Sequence, residues 1–379
     1  MIIKEIAAVS GAEVFLVGGA VRDLIRCVPF NDLDFVVFKT DYILFAKQIA
    51  KKLKRPFVPF KDNVRIPCKN GYIDISAPRG VSLEEDLSRR DFTVNNLAMD
   101  LNGNITGDPA DINNKVIRPA YGNAFYDDPL RILRGFRHAA SFNYTLSDEF
   151  FALAVSAVSG LSNTAGERLL DELKKLSAVK ANIQIYTALC ESEIWINLFG
   201  FNPNDFLLYK VMEGSAPYGK DEKFALFLAA LLTENEGRTA PLLKRLCVSN
   251  NTADFVKMLL KQSAAIYSAT SEEIKKIIWR AGDNFGILLY YTAIRYSLPE
   301  ERISVYNSVA AILNRKYAET ADGNILLRLI GECAPDMPHG RWIADILEET
   351  KIKLAFGELN GREEAEEYMS LKIKMSKGK

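Results

Sequence analysis

The chain has 379 residues, 48% of them hydrophobic, and its Lys+Arg and Asp+Glu totals balance at 48 each, giving a formal net charge of zero. That length suits two or three domains with a sizeable core, and the neutral balance means that any nucleic-acid surface must be a local basic face. Five scattered cysteines (Cys27, Cys68, Cys190, Cys247, Cys333) without a CxxC pair argue against a zinc site, and two histidines, His138 and His339, exclude a histidine-rich metal centre.

At the N-terminus no basic segment precedes a long apolar run, and nowhere do ~20 apolar residues follow one another, so neither a leader nor a membrane span is expected. The scattered thiols fit a cytoplasmic protein. Residues 1–120 read as mixed α/β. Val14 to Val17 is a short apolar strand ending in Gly18-Gly19, and Ala20 to Arg26 reads as a short helix. Leu33 to Phe38 is a second strand, and Tyr42 to Leu53 has the spacing of an amphipathic helix. Phe57–Phe60, Val64–Cys68 and Tyr72–Ser76 read as further strands, with Asn70-Gly71 as the hairpin turn between the last two. Beyond about residue 125 helical periodicity takes over. Pro129 opens one helix and Ser147-Asp148 caps the next. Helical segments then continue to the end, and the basic stretch 372–379 is expected to be mobile.

Three blocks carry chemistry. The first is Gly18-Gly19-Ala20-Val21-Arg22-Asp23 followed by Asp32-Leu33-Asp34. A glycine pair after a strand lets backbone approach a phosphate. Asp32 and Asp34, two apart at a strand start, share one face and offer the hard oxygen ligands that Mg²⁺ takes together with substrate phosphates. Singly, the glycines fit an ordinary turn and the carboxylates a solvated strand end; the combination favours a phosphate-handling site. The second block is Arg89-Arg90-Asp91-Phe92-Thr93-Val94-Asn95-Asn96. Its adjacent arginines suit triphosphate oxygens, although alone they fit equally a surface run capping a helix. The third is Asp127-Asp128-Pro129-Leu130-Arg131-Ile132-Leu133-Arg134-Gly135-Phe136-Arg137. Arg131, Arg134 and Arg137 recur every three residues along one side of a helix, with Asp128 on that face, while Ile132, Leu133 and Phe136 claim the core side.

Taken in this order, the blocks resemble the bacterial class II tRNA nucleotidyltransferases and poly(A) polymerases of the DNA polymerase β superfamily. GGAVRD with DLD is similar to their first motif, RRDFTVNN to their second, and DDPLR to their base-reading motif. The block from Gly166-Glu167-Arg168 to Glu172 resembles their ERxxxEL segment. The likeness covers residues 12–180; the helical remainder matches in character. It implies an α/β nucleotidyltransferase head with a mixed sheet (1–122), a helical neck for base recognition (123–180), and an all-α body and tail that bind the tRNA acceptor arm (181–379). Asp32 and Asp34 would hold two Mg²⁺ ions, with Asp74 as a third catalytic carboxylate. Gly18, Gly19, Arg22, Asp23 and Arg90 would meet the triphosphate of CTP or ATP, and Asp91 and Asn95 would help select the ribose. Asp128 and Arg131, with Arg134 and Arg137 on the same helix face, would meet the base edge. Segment 160–175 would position that helix.

Asp127 stands where the family usually has Glu, Asn96 where it has Ala, and Cys27 where Gly is common. With His339 the only histidine of the C-terminal half, no HD-type phosphohydrolase domain is expected there. Between Asp74 and Arg89 the chain is short, where CCA-adding members carry a flexible loop that helps switch specificity from C to A. A CC-only enzyme with a separate A-adding partner is therefore expected. Full CCA addition, poly(A) synthesis, A-only addition and an inactive RNA-binding protein are the rival readings. Lys244, Arg245, Lys257, Lys261, Lys275, Lys276 and Arg280 are candidate tRNA contacts, each also readable as an ordinary solvated side chain. Trp195, Trp279 and Trp342 read as core.

Overall fold

The computed structural model describes residues 2–180, 182–215, 217–313, 321–338 and 340–377; His339 lies outside them. Two compact units divide the chain, Met1–Asn250 and Asn251–Lys379. The first carries a mixed sheet followed by helices, and the second is helical.

In the first unit, helix α1 (Ile2–Ser10) leads into β1 (Glu13–Val17), α2 (Gly19–Ile25), β2 (Leu33–Phe38) and α3 (Tyr42–Leu53). Strands β3 (Val58–Pro59), β4 (Asn63–Cys68) and β5 (Gly71–Ser76) follow, then α4 (Leu83–Ser88), β6 (Ala98–Asp100) and β7 (Ile105–Thr106). The sheet runs β3-β4-β5-β2-β1-β6-β7. Its centre is β2, antiparallel to β1 and parallel to β5, which is why Phe35, Val36 and Val37 are all buried. Asp41 caps α3, accepting from the amides of Ile43 at 2.7 Å and Leu44 at 3.1 Å, and Phe45, Ala46, Ile49 and Ala50 turn its apolar stripe inward.

The β4–β5 turn differs from expectation. Cys68 pairs with Gly71, so Lys69-Asn70 make the turn and Gly71 opens the strand. Gly71 sits at φ +154°, and a Cβ there would overlap the backbone of Asn31. The glycine serves this close approach to the segment before Asp32, so the turn signal of the Asn-Gly pair pointed one residue late.

Helix α5 (Ala110–Asn113), β8 (Val116–Ile117) and α6 (Ala124–Asp127) lead to α7 (Leu130–Phe142), which starts after Pro129 as expected. Strand β9 (Thr145–Leu146) pairs parallel with β8. Ser147 caps α8 (Asp148–Ala157) by accepting from the Phe150 amide at 3.2 Å. Helix α9 (Gly166–Ser177) follows, and helices complete the unit, Trp195 being fully buried among them.

The second unit closes with helices Gly323–Cys333, Arg341–Ala355 and Arg362–Lys377, which share a core including Leu326, Leu354 and Met369, with Trp342 packed partly against it. For residues 372–377 the expectation of a mobile basic end is corrected: Lys372 lies within a helix and donates to Glu349 at 2.9 Å, and Ile373 is buried, while residues 378–379 lie outside the described residues. All five cysteines are free. Among the described residues, no helix is long and apolar enough to cross a membrane.

Candidate active site

The expected site residues meet in the first unit. Asp34 lines three cavities, of about 750, 330 and 530 Å³, and is the one residue common to them. The smallest is shared with Gly18, Gly19, Arg90, Asp91, Asn95, Asp128, Arg131 and Arg134. Another adds Arg22, Asp23, Asp32 and Arg137, and the largest adds Asp74.

Parallel pairing of β2 and β5 sets Asp34 in register with Asp74, and the β4–β5 ladder sets Asp74 opposite Arg65. Arg65 donates through Nε at 2.9 Å and Nη2 at 2.7 Å to the two oxygens of Asp74, and its guanidinium lies 3.7 Å from the Tyr72 ring centre. Asp32 sits one residue before β2 and faces Tyr72, whose hydroxyl is held above its ordinary range by burial and by that carboxylate. Asp34 is open to the cleft yet surrounded by protein. Removal of bulk water, and then the charges of Asp74 and Asp32, push its carboxyl upward, with Arg90 opposing. Among the described residues no group of three or more His, Cys, Asp or Glu stands ready as a metal cluster. Asp32 and Asp34 both present carboxylate oxygens to one cavity, a donor set that suits a hard cation completing its shell with substrate phosphates.

A chain of hydrogen bonds fixes the side facing α7. Arg22 donates to both oxygens of Asp23, at 2.9 and 2.8 Å, and through Nη1 to Asn95 Oδ1 at 2.7 Å. Asn95 Nδ2 donates to Asp91 Oδ1 at 2.9 Å, and Arg134 Nη1 to Asp91 Oδ2 at 3.1 Å. Beyond it, Glu172 of α9 pairs with Arg137 and stands 3.9 Å from Arg134. Glu172 is only 2% exposed, so the charge that orients the arginine row is a buried one. Burial alone would raise the Asp91 carboxyl, but the Arg134 guanidinium and the Asn95 hydrogen bond outweigh it and hold it well below the usual carboxylate range.

The second block is fixed from below. Asp86 of α4, 1% exposed, accepts from Arg90 at 2.7 and 3.2 Å and from the Arg79 amide at 2.9 Å. Arg90 in turn lies against Gly18, where a Cβ at φ +68° would come 3.0 Å from its Nη1. The Gly18 amide is used within the protein, donating to Leu97 O at 3.0 Å. The glycine therefore makes room for the arginine, and its own N–H is no free phosphate donor.

In the third block Asp128 and Arg131 line one cavity, and their side chains take separate partners. Arg131 donates to the Tyr121 hydroxyl at 2.9 Å and to the carbonyls of Ala124 and Arg89, each at 3.2 Å. Asp128 accepts from Arg168 of α9 at 2.8 Å. Gly160 lies directly against Pro129, so segment 160–175 touches the start of α7 by packing as well as by charge.

Asp86, Arg79 and His138 were not singled out from sequence as site residues, and Arg168 only as part of the segment expected to position α7. Asp86 carried a signal, an i,i+4 pair with Arg90; the other three have partners that no local spacing reveals. Of the basic residues proposed for RNA contact, Arg245 donates to the carbonyls of Leu198 and Ser162. Lys257 pairs with Asp254, Lys275 with Glu272 and Glu358, and Arg280 with Glu348. Lys244, Lys261 and Lys276 are exposed.

Residues 63–118 match the family model described as the poly A polymerase head domain. The chain is 32% identical over 224 residues to the A-adding tRNA nucleotidyltransferase of Halalkalibacterium halodurans, covering 52% of each chain. It is 33% identical over 184 residues to the CC-adding tRNA nucleotidyltransferase of Geobacter sulfurreducens, covering 46% of this chain and 43% of that one. The chain thus spans about half the length of these curated relatives. Its fold resembles the Thermotoga maritima CCA-adding enzyme, solved in complex with tRNA, with a TM-score of 0.74 over 98% of this chain and 94% of that one at 22% identity.

Proposed function

Because the chain belongs to the class II tRNA nucleotidyltransferase and poly(A) polymerase family, we propose that it adds C or CCA nucleotides from CTP and ATP to the tRNA 3′ end without a nucleic-acid template. Within that activity we favour addition of the two cytidines only. The observation that carries the reading is Asp34 at the meeting point of three cavities, with the arginines of all three sequence blocks around it.

Asp32 and Asp34 would hold two Mg²⁺ ions, which when bound neutralise charge on the transferring phosphoryl group and activate the attacking hydroxyl. Arg22 and Arg90, set around Gly18 and Gly19, would take triphosphate oxygens, for which a planar guanidinium is suited. Asn95 and Asp91 are fixed by Arg22 and Arg134, a rigid edge for the ribose. Asp128 and Arg131 would present an acceptor and donors to the base edge, and a carboxylate accepts from exocyclic amines of the kind C and A carry. The acceptor arm would be held through shape and phosphate contacts.

The preference for CC addition rests on the segment from 77 to 82, the six residues between β5 and α4. It is tied down at both ends: Asp86 accepts from the Arg79 amide, Glu85 accepts from the Val81 amide at 2.8 Å, and Arg89 donates to Arg79 O at 2.6 Å. No length remains for a loop that reshapes the pocket between C and A, so a separate A-adding enzyme would complete the tRNA end. Full CCA addition is the second reading, favoured by the fold likeness over almost the whole chain.

The test is addition to three tRNA transcripts ending at the discriminator base, at C and at CC, with CTP and ATP supplied singly and together. Products stopping after two cytidines, with ATP refused at the CC end, are expected. Efficient A addition there would establish the second reading, and incorporation undiminished in the Asp32→Ala, Asp34→Ala double variant would overturn the site assignment.

A further inference from the structure

Arg79 stands at the boundary of two cavities that flank Asp34: it lines the large one with Asp74 and the small one with Gly18 and Arg131. The buried Asp86 carboxylate fixes its backbone through Oδ1 while Oδ2 holds Arg90, so one side chain anchors both arginines. Its guanidinium is under-used. Nη1 makes one long contact, 3.5 Å to Arg89 O, and among the described residues no carboxylate pairs with it. Arg131, which faces the same cavities, is bound only by carbonyls and a tyrosine hydroxyl. Loss of bulk water, with Arg90 and Arg131 close by, holds the Arg79 guanidinium below its ordinary range. Arg79, Arg90 and Arg131 thus line the same two cavities, and among the described residues Arg90 alone of the three pairs with a carboxylate, Asp86. Guanidiniums left without a carboxylate suit an anion whose oxygens supply the missing acceptors.

We propose that Arg79 is a phosphate-contacting residue of this site, binding either the last phosphodiester of the acceptor strand or the triphosphate of the incoming nucleotide. The inference rests on the nucleotidyltransferase reading for the identity of its ligands.

The experiment compares wild type with Arg79→Gln and Arg79→Lys. Equilibrium binding of CTP alone, and of a tRNA transcript ending at the discriminator base, is measured alongside the KM for each. A loss of about tenfold for the transcript in Arg79→Gln, largely restored in Arg79→Lys and with an unchanged melting temperature, is expected for an acceptor-strand phosphate. The same loss confined to CTP would assign the contact to the triphosphate. Binding and KM within twofold of wild type for both ligands would overturn the inference, whereas a wild type that binds but never incorporates would overturn the functional reading and leave the Arg79 binding result standing.

Discussion

Arg65 donates to both oxygens of Asp74, so the carboxylate that lies in register with Asp34 is neutralised from its far side. The pair lets two acidic strand positions sit side by side: Arg65 compensates one of them, and Asp34 is left as the group that meets the cleft.

Arg65→Leu removes that compensation. Asp34, already raised by burial and by Asp74, should rise further, and its ionised form should be lost at higher pH as the solution is acidified. The acid limb of the pH profile of kcat/KM is therefore expected to move upward, with a loss relative to wild type that grows as the pH falls and vanishes on the alkaline side. A profile superimposable on wild type would show that the pair is structural only.

Asp34→Asn should separate stability from turnover. A carboxyl whose folded-state pKa lies above its unfolded value makes folding less favourable once pH has risen through that window, and at neutral pH the whole penalty is present. The variant is expected to melt higher than wild type at pH 7 while losing on the order of a thousandfold in nucleotide incorporation. A lower melting temperature would refute the view that the site is a point of stored electrostatic cost.

Arg168→Ala leaves Asp128 without its 2.8 Å partner. The carboxylate would then lose its fixed orientation while Arg131 keeps its three protein acceptors. Discrimination between CTP and UTP should fall by about tenfold, the scale of one well-made base contact, with a smaller change in the CTP rate. Single-turnover incorporation of each nucleotide measures it.

His138 is buried beside Arg137, Arg22 and Arg134, with Phe142 stacked at 4.9 Å between ring centres and Phe92 edge-on at 5.7 Å. Burial first, and then those arginines, depress its pKa well below the ordinary histidine value, with Asp91 opposing. Above about pH 6.5 both folded and unfolded chains carry it neutral; below that, the unfolded chain gains a proton that the folded one refuses, and stability falls by up to about 1.4 kcal/mol per pH unit. Between pH 6.5 and 5, His138→Phe should show a flatter melting-temperature profile than wild type.

Cys27 ends α2 in a left-handed conformation, φ +55°, with its amide donating to Leu24 O at 3.1 Å and that of Val28 to Asp23 O at 3.0 Å. This is a helix stop that normally recruits glycine. Cys27→Gly should raise stability by about 0.5 kcal/mol, the relief of left-handed strain exceeding the added freedom of the unfolded chain. Chemical denaturation of the reduced protein measures it.

The chemistry-bearing blocks were legible because each is local. A glycine pair after a strand, two acids two apart and arginines three apart are statements about a few residues, and such geometry survives folding. The strands and the α3 and α7 helices followed from periodicity for the same reason. What could not be read were choices of partner across the fold. Nothing in the spacing told Asp128 to take Arg168 in preference to Arg131, or Asp86 to hold Arg79 as well as Arg90. The Asn70-Gly71 pair misled because a contact with Asn31, remote in sequence, fixed that glycine's role. Likewise, several of the lysines and arginines read as free for RNA are engaged by acids of their own helices or of neighbouring ones.

The register of Asp34 with Asp74 and the anchoring of Arg137 by Glu172 also set an order of events during synthesis. A nascent chain that has just released β2 carries the acidic pair without the strand that flanks it. The arginine row emerges later and stays unanchored until α9 (Gly166–Ser177) has followed it out of the ribosome. The anchored arginine row is therefore a late property of the growing chain, and a product truncated between α7 and α9 carries the acids and the arginines without the buried Glu172 that holds Arg137.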